Sequence, residues 1–240
     1  MKIYAITEKG VEKRENEDRI VINKTILSCG VFKYELDSGV FAIADGVGGN
    51  KAGAVASHYI ASKLGFLESI TQDSFTTLNE ELIAFSNQSN KYTGMATTLS
   101  GVCVNTEKTI IFSIGNTRVY LLQGKKYLKQ ITSDDTILNF LISTGQISQE
   151  DAENFERKNE ITACFGGGNP SLFKLKIEEI DTLNVPFLIS SDGLHDFVSV
   201  DEIEEIIYKY GVSEVSCAEL MNLARENGST DDISIIFGDI

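Results

Sequence analysis

The residues of this chain best suited to chemistry are carboxylates placed where apolar runs break into glycine or polar turns. In Phe41-Ala42-Ile43-Ala44-Asp45-Gly46-Val47-Gly48-Gly49-Asn50, a strand-type run ends in an acidic residue followed by glycines. Aromatic and β-branched residues without charge read as a buried strand over Phe41–Ala44, with Asp45 at its mouth. Gly46, Gly48 and Gly49 admit positive φ and let a carbonyl or amide approach a ligand closely. A carboxylate beside a free carbonyl suits a hard cation such as Mg²⁺ or Mn²⁺, although a plain strand with a glycine turn looks the same. Phe187-Leu188-Ile189-Ser190-Ser191-Asp192-Gly193 repeats the arrangement, and Asp231 precedes a last apolar run, Ile233–Phe237. Glu17 and Asp18 follow Lys13 and Arg14. That segment is either a solvated charged turn, or an acidic group that reaches a metal beside a cation that holds an anionic substrate.

These side chains need elements to hold them. Short strands are expected at Ile3–Thr7 and Arg19–Ile22, and an amphipathic helix over Gly53–Leu67 with Val55, Ile60, Leu64 and Leu67 inward. A second helix, Asp73–Asn90, has Asp73 as its N-cap. Four strands with short turns, Thr98–Val104, Thr109–Ile114, Arg118–Leu122 and Lys125–Leu128, read as an antiparallel meander. A helical insert follows, Asp135–Thr144 and then a helix opened by a capping box at Ser148-Gln149-Glu150-Asp151, closed by Gly166-Gly167-Gly168. Strands at Leu172–Ile177 and Phe187–Ile189 precede a helix capped at Ser199 that runs to Tyr210, and another from Ser213 to Gly228. If the strands that end at Asp45, Asp192 and Asp231 share one core, the three carboxylates converge at one end of it. Buried bare charges are costly, so there they would be paired or metal-bound.

Composition narrows the partners. At 240 residues and 42% hydrophobic content the chain is expected to form one domain. A net charge of -14 disfavours nucleic acid. Cys29, Cys103, Cys164 and Cys217 form no CxxC pair, which excludes a zinc ribbon and points to reduced thiols in the cytoplasm. No apolar run approaches the ~18 residues that span a bilayer, so no membrane association is expected. With only 2 histidines, the expected metal is oxygen-liganded Mg²⁺ or Mn²⁺. Two such ions on carboxylates would serve in-line attack of an activated water on phosphorus.

In order, the motifs Asn16-Glu17-Asp18, Ala44-Asp45-Gly46-Val47-Gly48-Gly49, Gly94-Met95-Ala96-Thr97-Thr98, Gly115-Asn116-Thr117-Arg118-Val119-Tyr120, Ser191-Asp192-Gly193-Leu194 and Thr230-Asp231-Asp232-Ile233 resemble those of the metal-dependent type 2C serine/threonine protein phosphatases, in their stand-alone bacterial form. The resemblance covers nearly the whole chain. It implies an α+β fold, a four-layer αββα sandwich of two antiparallel β-sheets flanked by helices, with a small helical flap at about residues 135–168. It further implies that Asp45 bridges two Mn²⁺ or Mg²⁺ ions and that the Gly46 carbonyl ligates one. Asp192 and Asp231 would ligate the other, while Glu17 and Asp18 hold the first ion and its waters. Water between the ions would attack phosphoserine or phosphothreonine directly, without a phosphoenzyme. The implied partners are phosphorylated proteins and an opposing cytoplasmic Ser/Thr kinase, with the enzyme a monomer.

This chain departs from the family pattern at particular positions. The family's phosphate-holding arginine falls at Lys13, with Arg14 beside it, and lysine lacks the bidentate fork of arginine. Asn116 stands where bacterial relatives carry the aspartate of a third metal; as a neutral, weaker ligand it leaves a third ion open. Val47 replaces the eukaryotic general-acid histidine. His195 is a candidate proton donor or supporting residue, and Thr98 is expected to pack beneath the metals and bond nearby carboxylates. His58, the cysteines and the acidic run Asp201, Glu202, Glu204 and Glu205 read as structural or solvated. The alternative to a phosphatase is a catalytically weak, metal-binding regulator of phosphoproteins, motivated by Asn116 and Lys13. A scaffold without a metal site is the third reading.

Overall fold

The computed structural model describes every residue except 48–50, 125, 149, 153, 154, 156 and 182, and of residue 51 only the backbone. Gly48, Gly49 and Asn50 of the central turn, Lys125 and Gln149 thus lie outside the described residues. Strands β1 (Lys2–Glu8), β2 (Asp18–Ile22), β3 (Thr25–Leu27), β4 (Gly30–Glu35) and β5 (Gly39–Val47) precede helices α1 (Lys51–Leu64) and α2 (Gln72–Ser86). Next come β6 (Ala96–Thr97), β7 (Leu99–Val104), β8 (Lys108–Ile114), β9 (Arg118–Gln123), β10 (Tyr127–Gln130) and α3 (Ile137–Ser143). The chain ends with β11 (Phe165–Gly166), β12 (Lys176–Asp181), β13 (Phe187–Ser190), α4 (Asp192–His195), α5 (Val200–Tyr210), α6 (Glu214–Glu226) and β14 (Ile233–Asp239).

Period-two alternation decides how these elements stack. In β1, Ile3 and Ala5 face one way and Tyr4 and Ile6 the other. In β5, Phe41 and Ile43 share the side of Ile3, while Ala42 and Ala44 lie beneath α1. One sheet has the order β10-β9-β13-β14-β1-β4, the other β11-β6-β5-β7-β8-β12 with β2 and β3 attached through β5. Ile3, Ile20, Phe41, Ile43, Val102, Val119, Phe187, Ile189 and Ile236 fill the gap between the sheets. Phe41 and Phe187 meet there, with ring centroids 5.7 Å apart. Ile60, Leu64, Phe75, Leu78 and Leu82 of α1 and α2 cover the second sheet. Ile203, Ile207, Cys217, Leu220 and Ala224 of α5 and α6 cover the first. Two apolar sheet faces each need a helical lid, and four layers are the result. The expected αββα sandwich is the fold.

Several local expectations are corrected. The β7–β8 hairpin forms, but β9 does not continue a meander; it leaves for the other sheet and pairs with β13 and β10. Gly115, at φ +96°, makes that crossing, and a 2.7 Å hydrogen bond between Thr98 Oγ1 and Thr117 Oγ1 pins it. The N-cap of α2 is Thr71, whose hydroxyl accepts from Ser74 N at 3.2 Å, and not Asp73. Pro170–Leu172 forms a 3₁₀ turn capped by Asn169, because proline suits a first helical position, so the strand expected there begins later, as β12. The fourth meander strand likewise shifts to β10. Helices α1 and α3 are shifted or shortened by a few residues, and β3 and β4 form where no strand was expected. Ser148 Oγ accepts from Asp151 N at 3.2 Å, but the described residues after it form turns instead of a continuous α-helix.

The insert at 135–168 is stitched shut at its base. Ile137 N donates to Glu160 O at 2.8 Å and Thr162 N to Asp135 O at 2.7 Å. Its last residues, Ala163 and Phe165, are fully buried in the core under α2, whereas α3 buries none of its side chains.

Candidate active site

Two strand pairs carry the acidic residues to one end of the gap between the sheets. In the β2–β5 pair Asp18 lies directly opposite Asp45. The alternation that turns Ile20, Ile22, Phe41 and Ile43 into the gap turns these two carboxylates the same way. In the other sheet β13 and β14 run antiparallel with Ser190 opposite Ile235. Asp192, just past β13, and Asp231-Asp232, just before β14, therefore meet at a shared end. Ser191 N donates to Ser234 O at 3.1 Å, and Ser234 N to Ser191 Oγ at 2.9 Å, closing that corner. Asp45 is not at the mouth of a strand as expected: β5 runs on through Gly46 and Val47 by pairing with β6.

Glycine is needed here for close approach. A Cβ on Gly46 would overlap the Gly53 carbonyl of α1, and one on Gly193 would overlap the Asp232 carbonyl. Gly46 does not have the positive φ anticipated for it. Both glycines let backbones that bear ligand candidates pack against each other.

Electrostatics report the crowding. Burial first, then Asp192 and Asp18, hold the Asp45 carboxyl well above the usual carboxylate range. Burial and Asp231 raise Asp192, against the opposing hydrogen bond from Asn116. Burial and Asp232 push Asp18 up to about 7. Its Oδ2 is buried without any hydrogen-bond partner. Glu17 is also raised, chiefly by burial, against the opposing pull of Lys13.

Lys13 supplies the cation. Its Nζ contacts the carboxylates of Asp231, of Asp232 at 3.1 Å and of Glu17 at 3.4 Å. Arg14, the other candidate, is exposed and lies outside this network; the turn that points Lys13 inward points its neighbour to solvent. Thr98 does not bond a carboxylate. Its Oγ1 accepts from Asp45 N at 3.2 Å, and Thr97 Oγ1 donates to Asp45 O at 2.8 Å, so the pair fixes the Asp45 backbone. Asn116 Nδ2 donates to Asp192 Oδ2 at 3.0 Å. The His195 ring is buried, with Nδ1 on Ser190 Oγ at 2.9 Å and Nε2 unpartnered, and burial holds it well below the ordinary imidazole value. A buried neutral ring supports the turn and is removed from solvent. His58 is exposed. Arg118 grips Asp134 with Nε and Nη2, at 2.9 and 2.6 Å to Oδ2, and so ties β9 to the start of the insert.

Sequence reasoning missed two residues. Asp232, only 2% exposed, accepts from Gly10 N at 2.7 Å, from Glu17 N at 2.8 Å and from Lys13. Its neighbour Asp231 drew attention as the ligand, and nothing in the sequence separates the two adjacent acids; burial does. Arg225 of α6 donates to the backbone carbonyls of Asp231 at 2.7 Å, Ser229 at 3.0 Å and Lys9 at 3.1 Å. Nothing in its helical context announces that role.

The donor set fits hard divalent cations: oxygen atoms only, several mutually repelling carboxylates, and one buried carboxylate oxygen without a partner. Among the described residues no three of these groups close on a common point at metal-ligand spacing, and Lys13 bridges Glu17, Asp231 and Asp232 instead.

Two helix-covered antiparallel sheets with an oxygen-donor site at the mouth of their shared gap define the class of fold. No family model matches the chain. The serine/threonine phosphatase Stp of Listeria monocytogenes serotype 4b is 30% identical over 249 residues, covering 96% of this chain and 92% of that protein. A protein of Streptococcus pyogenes serotype M6 named as a 2C-type protein phosphatase is 31% identical, covering 98% and 96%. The catalytic domain of the phosphatase PstP, solved in complex with two manganese ions, superposes with a TM-score of 0.77 at 26% identity, over 100% of this chain and 99% of that one. The chain belongs to the 2C-type serine/threonine protein phosphatase family.

Proposed function

We propose that this phosphatase hydrolyses phosphoserine and phosphothreonine in proteins with two Mn²⁺ or Mg²⁺ ions held by Asp18, Asp45, the Gly46 carbonyl, Asp192 and Asp231, with Glu17 at their edge. The observation that carries the reading is the convergence of Asp18 and Asp45 from one sheet with Asp192 and Asp231 from the other. When bound, the ions would supply Lewis acidity and activate water at neutral pH. The residues of the chain do the rest. Asp45 spans the two sheets electrostatically, and its backbone is fixed by Thr97 and Thr98. Asn116 orients Asp192. Lys13, the cation that faces the cluster, meets the phosphoryl oxygens. Arg14 is not given that role.

The same proposal has a single domain acting as a monomer in the cytoplasm on phosphorylated proteins, opposite a Ser/Thr kinase. Supporting it, the four cysteines are unpaired, as in a reducing compartment, and both outer sheet faces are covered from within the chain. Among the described residues no helix is long and apolar enough to cross a membrane. The net charge of -14 disfavours nucleic acid as partner.

The test is hydrolysis of p-nitrophenyl phosphate and of a phosphothreonine peptide with EDTA, Mg²⁺ or Mn²⁺, alongside Asp45→Ala. Metal-dependent turnover that disappears in the variant is the expected result. Turnover that survives EDTA, or the loss of Asp45, overturns the proposal.

A further inference from the structure

We infer that Lys13 is an internal competitor of the divalent ion at Asp231, so that this one side chain sets how tightly the site takes metal. The inference rests on the two-ion reading above. It starts from the different situations of the two carboxylates that share the ammonium. Asp232 is buried and saturated, accepting from the backbone N–H groups of Gly10 and Glu17 besides Lys13. It is a fixed counter-ion. Asp231 is 42% exposed at its side chain; its carboxylate holds the ammonium by direct contact and accepts from Asp232 N at 2.8 Å. That carboxylate is free to exchange one cation for another.

The backbones on either side are tied to each other. Arg225 clamps the Asp231 and Lys9 carbonyls together, and Lys9 Nζ in turn donates to the carbonyls of Gly10 at 2.9 Å and Lys13 at 2.5 Å. Lys13 N closes the turn onto Gly10 O at 3.3 Å. A Cβ on Gly10 would overlap the Thr230 carbonyl, so the two loops are already in contact. What can change is the lysine side chain, a flexible four-carbon stem with a point charge at its tip. A divalent ion that takes Asp231 must displace that charge. The ammonium keeps Asp232 and turns its free donors toward the cavity, where a phosphate dianion is to bind. Metal loading and the release of the phosphate-holding cation are thus one event, and each limits the other.

Calorimetric titration of the metal-free protein with Mn²⁺ tests this, on wild type, Lys13→Met, Lys9→Met and the double variant Lys13→Met/Asp232→Asn. The double variant removes the ion pair without leaving a buried carboxylate uncompensated, and a thermal melt checks that each variant is folded. The expected result is about tenfold tighter Mn²⁺ binding in both variants that lack Lys13. Lys9→Met, which loses a charge nearby but no contact to Asp231, should change affinity by less than about twofold. Equal effects of Lys9→Met and Lys13→Met would mean that only distant charge matters and would overturn the inference. So would unchanged or weaker affinity in the folded double variant. If wild type binds no Mn²⁺ at all, it is the two-ion reading that falls, and the titration separates the two failures.

Discussion

Asp18 and Asp45 are cross-strand partners in the β2–β5 pair, two carboxylates directly opposite each other on the face that looks into the gap between the sheets. Like charges so placed destabilise a sheet. Burial makes matters worse, since each loses hydration without a counter-charge of its own. Burial and the neighbouring acids accordingly raise both carboxyls above the usual carboxylate range.

Removing one acid should raise stability and abolish turnover together. Asp192→Asn keeps an oxygen for Asn116 Nδ2 while deleting a charge that raises Asp45. The metal-free variant should melt above wild type at pH 8, while metal-dependent phosphatase activity falls by at least about a hundredfold. Circular dichroism melts and p-nitrophenyl phosphate kinetics check both halves. A destabilised variant with full activity would contradict the assignment.

The pH dependence follows from Asp18. Its carboxyl titrates at about 7 in the folded protein, against about 3.9 in the unfolded chain. Between those values the native state holds a proton that the unfolded chain has released. The associated stability is complete below about pH 3.9 and is lost as pH rises through about 7. His195 works in the other sense, because its depressed imidazole contributes stability above about pH 6.5 that is lost in more acidic solution. Between about pH 6.5 and 8.5 the carboxylate dominates. Titration of Asp18 should cost metal-free wild type about 1 kcal/mol across that interval, and Asp18→Asn should lose much less. Urea melts at several pH values measure the difference.

Close backbone approach at Gly193 makes a separate prediction. In Gly193→Ala the added methyl meets the Asp232 carbonyl, and neither partner is a flexible side chain. Destabilisation of about 1–3 kcal/mol is expected. Because the displaced segment carries Asp231, Mn²⁺ affinity should fall as well. Urea denaturation and calorimetry read the two effects independently.

Asn116→Asp exchanges a donor on Asp192 Oδ2 for a further negative group. The metal-free variant should melt below wild type, and excess Mn²⁺ should narrow or reverse the gap while raising turnover. Melting curves with and without Mn²⁺, at matched ionic strength, decide it. A gap that does not change with metal would show that residue 116 faces no ion.

The sequence by itself determined the local pieces. Apolar runs that border Asp45, Asp192 and Asp231 and the capping box at Ser199 marked candidate residues and elements, and the order of the motifs carried the resemblance that implies the four layers. Those signals are local, because a strand end, a cap and a glycine are each recognisable within a few residues. Tertiary structure decided what depends on the other sheet. The turn at Gly115-Asn116-Thr117 reads as a hairpin, yet it carries the chain from one sheet to the other, since β9 finds its partner in β13 some 70 residues on, at Ser190 opposite Arg118. Lys13 and Arg14 are adjacent cations in sequence, and only the packing of Gly10 against Thr230 and of Asp232 beneath Glu17 selects Lys13. Asp232 itself looked like a second copy of Asp231 until burial separated them, one buried and saturated with donors and the other partly open to solvent. Charge, desolvation and close approach act through space between residues distant in the chain, and a linear pattern does not contain those distances.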